Sequence, residues 1–190
     1  MIAWLDTETT GLDPSVDFLL EVGIILTDDE LHILAQFETA VSYIPMLDTA
    51  INQQLDADDG FTRKMHTTNG LIADMAWAPR VHLAEDMAVS FVRAHCIGGK
   101  PVMGGNSITH DRIFLRKFMP TLLEEFHYRS IDVSGIREAA SRWSPGLEFP
   151  VRPKNSAHRV IDDLHDSIDL ARFERENIFN PTTTKENTAS

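Results

Sequence analysis

The sequence predicts an α/β protein in which a mixed β-sheet is flanked by helices. Three apolar segments near the start, 1–7, 19–27 and 31–41, have the composition of strands, and turns rich in Gly, Pro and Asp separate them. After residue 100, short strand candidates alternate with helical patterns, an order typical of a sheet covered by helices. A chain of 190 residues, 43% of them hydrophobic, is long enough for one such domain.

The first three strands are expected to form a meander, because the turns GLDPS and TDDEL between them carry the Gly, Pro and Asp expected at chain reversals. The next pattern is helical: apolar residues recur at the spacing of one buried helix face at Leu83, Met87, Ala88, Phe91 and Val92. A short strand at 101–103 and a helix at about 107–119 follow. Pro120 is expected to stop that helix, because proline cannot donate a helical hydrogen bond.

The last third of the chain continues the alternation. A strand is predicted at 129–133, and the helix after it should bury Ile136, Ala139, Ala140 and Trp143. A proline-rich loop at 144–154 leads to a last helix, which is expected to start near Asn155 or Ser156, both good N-caps, and to run to about residue 177. The polar segment 179–190 is predicted to be a disordered tail after a single domain at 1–178.

Composition excludes several classes of protein. The formal charge of −12 argues against broad electrostatic binding of long nucleic acids, although a short substrate needs only a few contacts. Cys96 is the only cysteine, so an intramolecular disulfide and a multi-cysteine zinc site are both excluded. No apolar run reaches the roughly 18 residues of a membrane span, and no signal peptide is recognisable. The expected location is therefore the cytoplasm, with no membrane partner.

Four acidic residues and one histidine carry the candidate chemistry. Asp6 and Glu8 are two residues apart at the end of a strand, so the pleat should point both carboxylates to the same face. Asp111 lies in the first turns of a helix, where a carboxylate is also stabilised by the helix dipole. In the last helix, position alone does not distinguish Asp162 from Asp163, and either could belong to a solvated acidic face.

Bringing these carboxylates together would be costly unless cations held them. Hard divalent ions prefer carboxylate oxygens, so the predicted occupants are two ions, Mg²⁺ or Mn²⁺. Such a pair clamps a phosphate and activates water. His158 should lie in the loop or frayed turn before the last helix, where a histidine could act as a mobile general base. Most lone histidines are instead structural or surface residues.

Taken together, these residues resemble the exonuclease superfamily whose motifs are D-x-E, a middle Asp, and H-x(4)-D, with His as the fifth active residue. That spacing selects Asp163. The similarity to the oligoribonuclease family is more specific and covers most of the chain to about residue 176. Its motifs are WLDTETTGLDP, LLEVGIILTDDELHILA, HTTNGLI, GGNSITHDRIFLRKFMP, FHYRSIDVSGIREAASRW and HRVIDDLHDSI.

The resemblance implies a ribonuclease H-like fold with a five-stranded mixed sheet, and a homodimer. It implies metal ligands at Asp6, Glu8, Asp111 and Asp163 and a general base at His158. It also implies that Leu12 wedges between two bases. A 5′-phosphate cap would comprise Ser107, Arg129 and His66, with Tyr128 of the other protomer.

The chain departs from the family pattern in three places. Phe61 stands where the family usually has a tryptophan, and it can still stack on a base with less area. Thr7 and Thr9 make the first motif more like that of proofreading DNA exonucleases. The segment 43–60 matches poorly.

The resemblance implies a metal-dependent 3′–5′ exoribonuclease that hydrolyses short single-stranded oligoribonucleotides, down to dinucleotides, to 5′ mononucleotides. Two other functions stay open. The motif DTETTG is shared with proofreading enzymes, so a 3′–5′ DNA exonuclease is the first alternative. A nucleotide-binding module without turnover is the second.

Overall fold

The computed structural model describes residues 1–144, 146–150 and 158–179. Within these ranges the strands form one five-stranded mixed sheet in the order β3-β2-β1-β4-β5. The strands are β1 (Ile2–Thr9), β2 (Leu19–Thr27), β3 (Ile33–Ala40), β4 (Val102–Gly105) and β5 (Ser130–Asp132). β1 to β3 form the predicted antiparallel meander, while β4 is parallel to both β1 and β5.

Eight α-helices lie in the described ranges: α1 (Asp48–Leu55), α2 (Phe61–Thr68), α3 (Leu71–Met75), α4 (Val81–His95), α5 (Ile108–Phe118), α6 (Pro120–Glu124), α7 (Val133–Trp143) and α8 (Val160–Glu174). A 3₁₀ turn at Pro45–Leu47 precedes α1, and a π-helical turn at Arg175–Phe179 extends α8. None of these helices has both the length and the apolar character that crossing a membrane would need.

The core lies on both faces of the sheet. On one face, side chains of α4, α5 and α6 pack against β1 and β2 around Leu5 and Leu26. On the other, α8 packs against Trp4 of β1 and Ile25 of β2 through Leu164 and Ile168. β2 is buried along its whole length, which explains why its predicted and observed bounds coincide. The central strand β1 therefore presents its carboxyl end between two helical layers.

Several predicted details are wrong. The buried face of α4 is formed by Ala84, Ala88, Val89 and Val92, whereas Leu83 and Met87 are each half exposed. Trp143 is exposed at the end of α7 rather than buried. Small alanines let α4 approach the sheet closely, so the longer side chains turn outward.

Two helix boundaries also differ from the prediction. Pro120 does end one helical pattern, but it also starts α6, because proline is well suited to the first position of a helix. The last helix begins at Val160, several residues after the predicted caps Asn155 and Ser156, which lie outside the described residues. Phe179 still belongs to the π-helical turn, and the rest of the predicted tail is not described.

Candidate active site

Three carboxylates meet where the end of β1 faces the first turn of α8. Asp6 and Glu8 lie in β1 and Asp163 in α8, and each offers an oxygen within 4.8 Å of the oxygens of the other two. Glu8 is buried, and Asp6 and Asp163 are half buried. Asp162, the neighbour of Asp163, is exposed and lies outside this group. The aspartate that clusters with Asp6 and Glu8 is therefore Asp163, the one that the motif spacing selects.

This oxygen-rich group fits a divalent ion such as Mg²⁺ or Mn²⁺. Oxygens from three acids would provide hard ligands at one point, and a cation would relieve the repulsion between neighbouring negative charges. The group therefore has the chemistry expected of a metal centre.

α8 is anchored to the sheet by a charge inside the β2 strand. The Glu21 side chain is fully buried and accepts hydrogen bonds from Arg159 Nη2 at 2.6 Å and Nε at 3.0 Å. It also accepts the backbone N–H of Val160 at 3.3 Å, which gives the first residue of α8 the cap that Arg159 does not supply. Glu21 thereby holds the start of α8, the helix that carries Asp163 to the site.

Asp111 approaches β1 through a different contact. It lies in the first turn of α5, is only 3% exposed, and its Oδ1 accepts a hydrogen bond from Thr7 Oγ1 at 2.7 Å. Burial raises the pKa of Asp111 to about 7, while the Thr7 hydrogen bond opposes that rise. In the described part of the chain, the group of three clustered oxygens does not include Asp111.

His158 lies two residues before α8, as predicted, and is half buried. Its backbone has φ of 48°, a left-handed conformation that is uncommon for residues other than glycine. The carbonyl of His158 accepts a hydrogen bond from Asn69 Nδ2 at 2.6 Å. The backbone of the predicted base is thus held by a residue from the end of α2.

Three side chains that are predicted to contact the bases or the 5′ phosphate of the substrate differ in exposure: Leu12, Phe61 and His66. Leu12, in the turn after β1, is 79% exposed, and Phe61, at the start of α2, is 67% exposed. His66 is fully buried, with Nε2 at 3.3 Å from the Thr9 carbonyl and 3.9 Å from Glu8 Oε2. Burial lowers the pKa of His66, and its Nδ1 has no hydrogen-bond partner.

The other predicted phosphate contacts lie around β5 and α5. Arg129 and Tyr128 are exposed, and the guanidinium carbon of Arg129 lies 5.3 Å from the centre of the Tyr128 ring. Ser107 has φ of 60° and precedes α5. Its N–H donates to Asp132 Oδ1 at 3.0 Å.

Asp132 ties two helix starts together. Its carboxylate accepts the backbone N–H of Ile108 at 3.2 Å, at the start of α5. It also accepts the N–H of Ser134 at 3.0 Å and of Gly135 at 3.4 Å, in the first turn of α7. The polar surface around Ser107 is therefore built on one capping carboxylate.

Sequence reasoning missed four supporting residues: Thr7, Glu21, Asn69 and Asp132. All four lie inside recognised motifs: Thr7 in WLDTETTGLDP, Glu21 in LLEVGIILTDDELHILA, Asn69 in HTTNGLI and Asp132 in FHYRSIDVSGIREAASRW. A glutamate within the apolar run LLEVGIILT was also a usable signal, because a charge in a buried strand needs a partner. Thr7 had no comparable signal beyond its position between the two acids.

Comparison with known proteins places this chain in a family. Residues 3–171 match the model of an exonuclease family, RNase T. An oligoribonuclease from Dichelobacter nodosus is 39% identical over 183 residues, covering 95% of this chain and 97% of the relative. An oligoribonuclease from Leifsonia xyli is 36% identical over 194 residues, covering 100% of this chain and 91% of the relative.

Solved structures agree with the fold. Exonuclease I from Methylocaldum szegediense superimposes with a TM-score of 0.66 at 16% identity, over 93% of this chain. The chain spans about 40% of the length of that enzyme. An Escherichia coli exonuclease I solved with a dT13 oligonucleotide has a TM-score of 0.58 at 15% identity. At such identities the likeness supports the ribonuclease H-like fold alone.

Proposed function

The chain belongs to the oligoribonuclease family of exonucleases, and we propose that it hydrolyses short single-stranded oligoribonucleotides, down to dinucleotides, to 5′ mononucleotides. Its activity class is that of a 3′–5′ exoribonuclease. The observation that carries the proposal is the convergence of Asp6, Glu8 and Asp163 within 4.8 Å at the end of the central strand. Residues 1–178 would act as one exonuclease domain in the cytoplasm.

The proposed cofactors are two divalent ions, Mg²⁺ or Mn²⁺. Asp6, Glu8 and Asp163 would hold one of them, and Asp6 and Asp111 would hold the other. When bound, such ions neutralise the charge of a phosphodiester and make a nearby water more acidic. The buried Asp111 must lose its proton to act as a ligand, and its raised pKa makes that loss dependent on pH near neutrality.

His158 is the proposed general base. Its imidazole would take a proton from the attacking water, so that the oxygen can attack the scissile phosphorus in line with the leaving 3′ oxygen. The leaving oxygen departs with the shortened RNA, and the released nucleotide keeps its 5′ phosphate.

The protein would select short substrates through contacts with both ends of a dinucleotide. The exposed side chains of Leu12 and Phe61 offer apolar surface on which bases can stack. Arg129 offers a planar fork for a 5′ phosphate, together with Ser107 and with Tyr128 of the partner subunit. His66 belongs to the same cap, and because its ring is fully buried it would have to become accessible before it could meet the phosphate. Such a cap would favour the shortest substrates, because a longer chain places another nucleotide where the cap lies.

The deciding experiment is a time course on 5′-labelled RNA of two, three and seven nucleotides and on matched DNA, with Mn²⁺ or with EDTA. Fast Mn²⁺-dependent cleavage of the RNA dinucleotide is expected. Asp163→Ala should abolish turnover, whereas Asp162→Ala, at the exposed neighbouring position, should remain active. Near-normal turnover by Asp163→Ala would refute the assigned ligand.

The same assay separates the alternatives. Preference for the longer DNA would identify a proofreading type of exonuclease. Binding that requires Mn²⁺ but gives no product at high enzyme concentration would identify a nucleotide-binding module.

The homodimer is tested through Tyr128. If Tyr128 of the partner subunit contacts the substrate, a verified monomeric variant should lose dinucleotide turnover. Retained turnover in that monomer would contradict a contribution from a second subunit.

A further inference from the structure

Among the described residues, two neighbouring contacts hold the backbone around His158. Its carbonyl accepts the 2.6 Å hydrogen bond from Asn69 Nδ2, and the next residue, Arg159, is held by the buried Glu21. A left-handed backbone at a residue with a side chain persists only where the surroundings hold it. The contacts that hold this turn are therefore candidates for setting where the imidazole lies.

The amide of Asn69 is oriented by a second hydrogen bond. Its Oδ1 accepts the backbone N–H of Leu71 at 3.0 Å, at the start of α3. Since an amide oxygen can only accept and an amide nitrogen can only donate, this bond leaves Nδ2 facing the His158 carbonyl. Neither end of the side chain can be exchanged without losing one of the two bonds.

The end of α2 and the turn before α8 each hold the backbone of the other. Arg159 Nη1 lies 3.3 Å from the backbone carbonyl of Asn69 and 3.0 Å from Asp74 Oδ2. Asn69 thus holds the turn that contains His158, while the residue after His158 holds the backbone of Asn69. This reciprocal tie joins the end of α2 to the start of α8.

α2 also reaches the proposed substrate side. The exposed Phe61 lies in its first turn, and the buried His66 lies in its last turn, beside the Thr9 carbonyl of β1. Asn69 follows the last helical residue, and its N–H donates to the Met65 carbonyl at 3.0 Å. One rigid helix therefore connects a base-stacking residue with the anchor of His158.

We propose that Asn69 is a positioning residue for His158, and that through α2 it aligns the base with the end of the bound oligoribonucleotide. This inference rests on the proposed function, because it requires His158 to act as the base. Asn69 is proposed to act through His158 rather than on the reacting atoms itself. Its loss should lower the rate of the chemical step while leaving metal binding intact.

Two substitutions test the proposal. Asn69→Ala removes both hydrogen bonds, whereas Asn69→Asp keeps an acceptor for the Leu71 N–H but loses the donor to His158. Asn177→Ala is the matched control, because the Asn177 amide also donates to a backbone carbonyl, that of Phe173 at 2.8 Å. Both Asn69 variants are expected to lower kcat on an RNA dinucleotide with Mn²⁺ by about 10²-fold, as a misplaced catalytic group does. KM and Mn²⁺ binding should change little.

A double-mutant cycle distinguishes positioning from a general structural effect. In a His158→Ala background, Asn69→Ala should reduce kcat by less than about twofold, because the group that it positions is already gone. In the metal-free protein, hydrogen exchange over 158–164 should be faster in Asn69→Asp than in the Asn177→Ala control. If Asn69→Ala does not fold, kcat, KM and Mn²⁺ binding are compared between Asn69→Asp and the Asn177→Ala control.

The outcomes are separable. Wild-type kcat in Asn69→Asp, or a full additional loss in the His158→Ala background, would overturn the positioning role while leaving the proposed function in place. Wild-type kcat in His158→Ala would overturn the assignment of the base and the positioning role with it. Loss of Mn²⁺ binding in both Asn69 variants would show a structural effect on the acidic site instead.

Discussion

Replacing Gly23 with alanine is expected to displace the start of α8 and, with it, the carboxylate of Asp163. Gly23 lies in β2 directly opposite Asp6 of β1. A methyl group at this position would lie 2.6 Å from Val160 Cγ2, 2.7 Å from Val160 Cβ and 3.2 Å from Leu164 Cδ1. Because Val160 Cβ is fixed to the helix backbone, a rotamer change alone does not relieve the contact.

The size of the effect follows from these distances. Restoring ordinary carbon contacts of about 3.5–4.0 Å requires the first turn of α8 to move outward by roughly 1 Å. Overpacking of this kind costs about 2 kcal/mol, which corresponds to about 4–8 °C in Tm for a chain of this length. A displacement of about 1 Å at a reactive group costs about 10²-fold in rate.

Three measurements compare Gly23→Ala with the wild type: thermal unfolding, Mn²⁺ binding by calorimetry and turnover of an RNA dinucleotide. Gly98→Ala is the control, because a methyl group there meets nothing within 4 Å. We expect the control to match the wild type. If Gly23→Ala keeps the wild-type Tm, Mn²⁺ affinity and turnover, the argument that β2 sets the position of Asp163 is refuted.

Three further substitutions test buried carboxyl groups. Glu21→Ala should lower the free energy of unfolding by about 3 kcal/mol, since it leaves Arg159 without its buried partner, and urea unfolding that detects no change would contradict this. Glu174 is buried without a hydrogen-bond partner, and burial raises its pKa to about 7. The native carboxyl keeps its proton up to about pH 7, whereas the unfolded one loses it near pH 4.5, so this group makes stability fall as pH rises between those values. Glu174→Gln should therefore gain stability over the wild type at pH 8 but not at pH 4.5 in thermal unfolding, and an equal difference at both pH values would be inconsistent with this ionisation. Asp111→Asn should weaken Mn²⁺ binding and flatten the rise in affinity with pH up to about 7, because the wild-type ligand must first lose its proton. Calorimetry at pH 5.5, 6.5 and 7.5 measures that slope, and the same slope in the variant would rule out Asp111 as its source.

The sheet was predictable because its strands have a strong local signal. β2 is buried on both faces, so its largely apolar run LLEVGIILT, interrupted by Glu21, marks both ends of the strand. The face of α4 was not predictable in the same way. That helix carries apolar residues on more than one side, and the close packing of Ala84 and Ala88, rather than hydrophobicity, decides which side faces the sheet.

The start of α8 shows why the site was only partly predictable. Local N-cap residues suggested Asn155 or Ser156, but the first N–H of the helix is accepted by Glu21, which is far away in the sequence. The acids of β1 follow from the period of a strand and could be paired from sequence. The partners that hold the other residues, such as Asn69 for His158, depend on contacts between distant segments, which no local pattern encodes.

The order of the strands determines when the acidic centre can assemble during synthesis of the chain. β1 is made first but occupies the centre of the sheet, with β2 on one side and the much later β4 on the other. The meander can pair early because its contacts are local, whereas long-range pairings form late. Asp163 arrives with the last helix, so a growing chain that already displays Asp6 and Glu8 still lacks the third carboxylate. A ribosome-bound fragment that ends before α8 therefore lacks one of the three carboxylates that cluster in the complete fold.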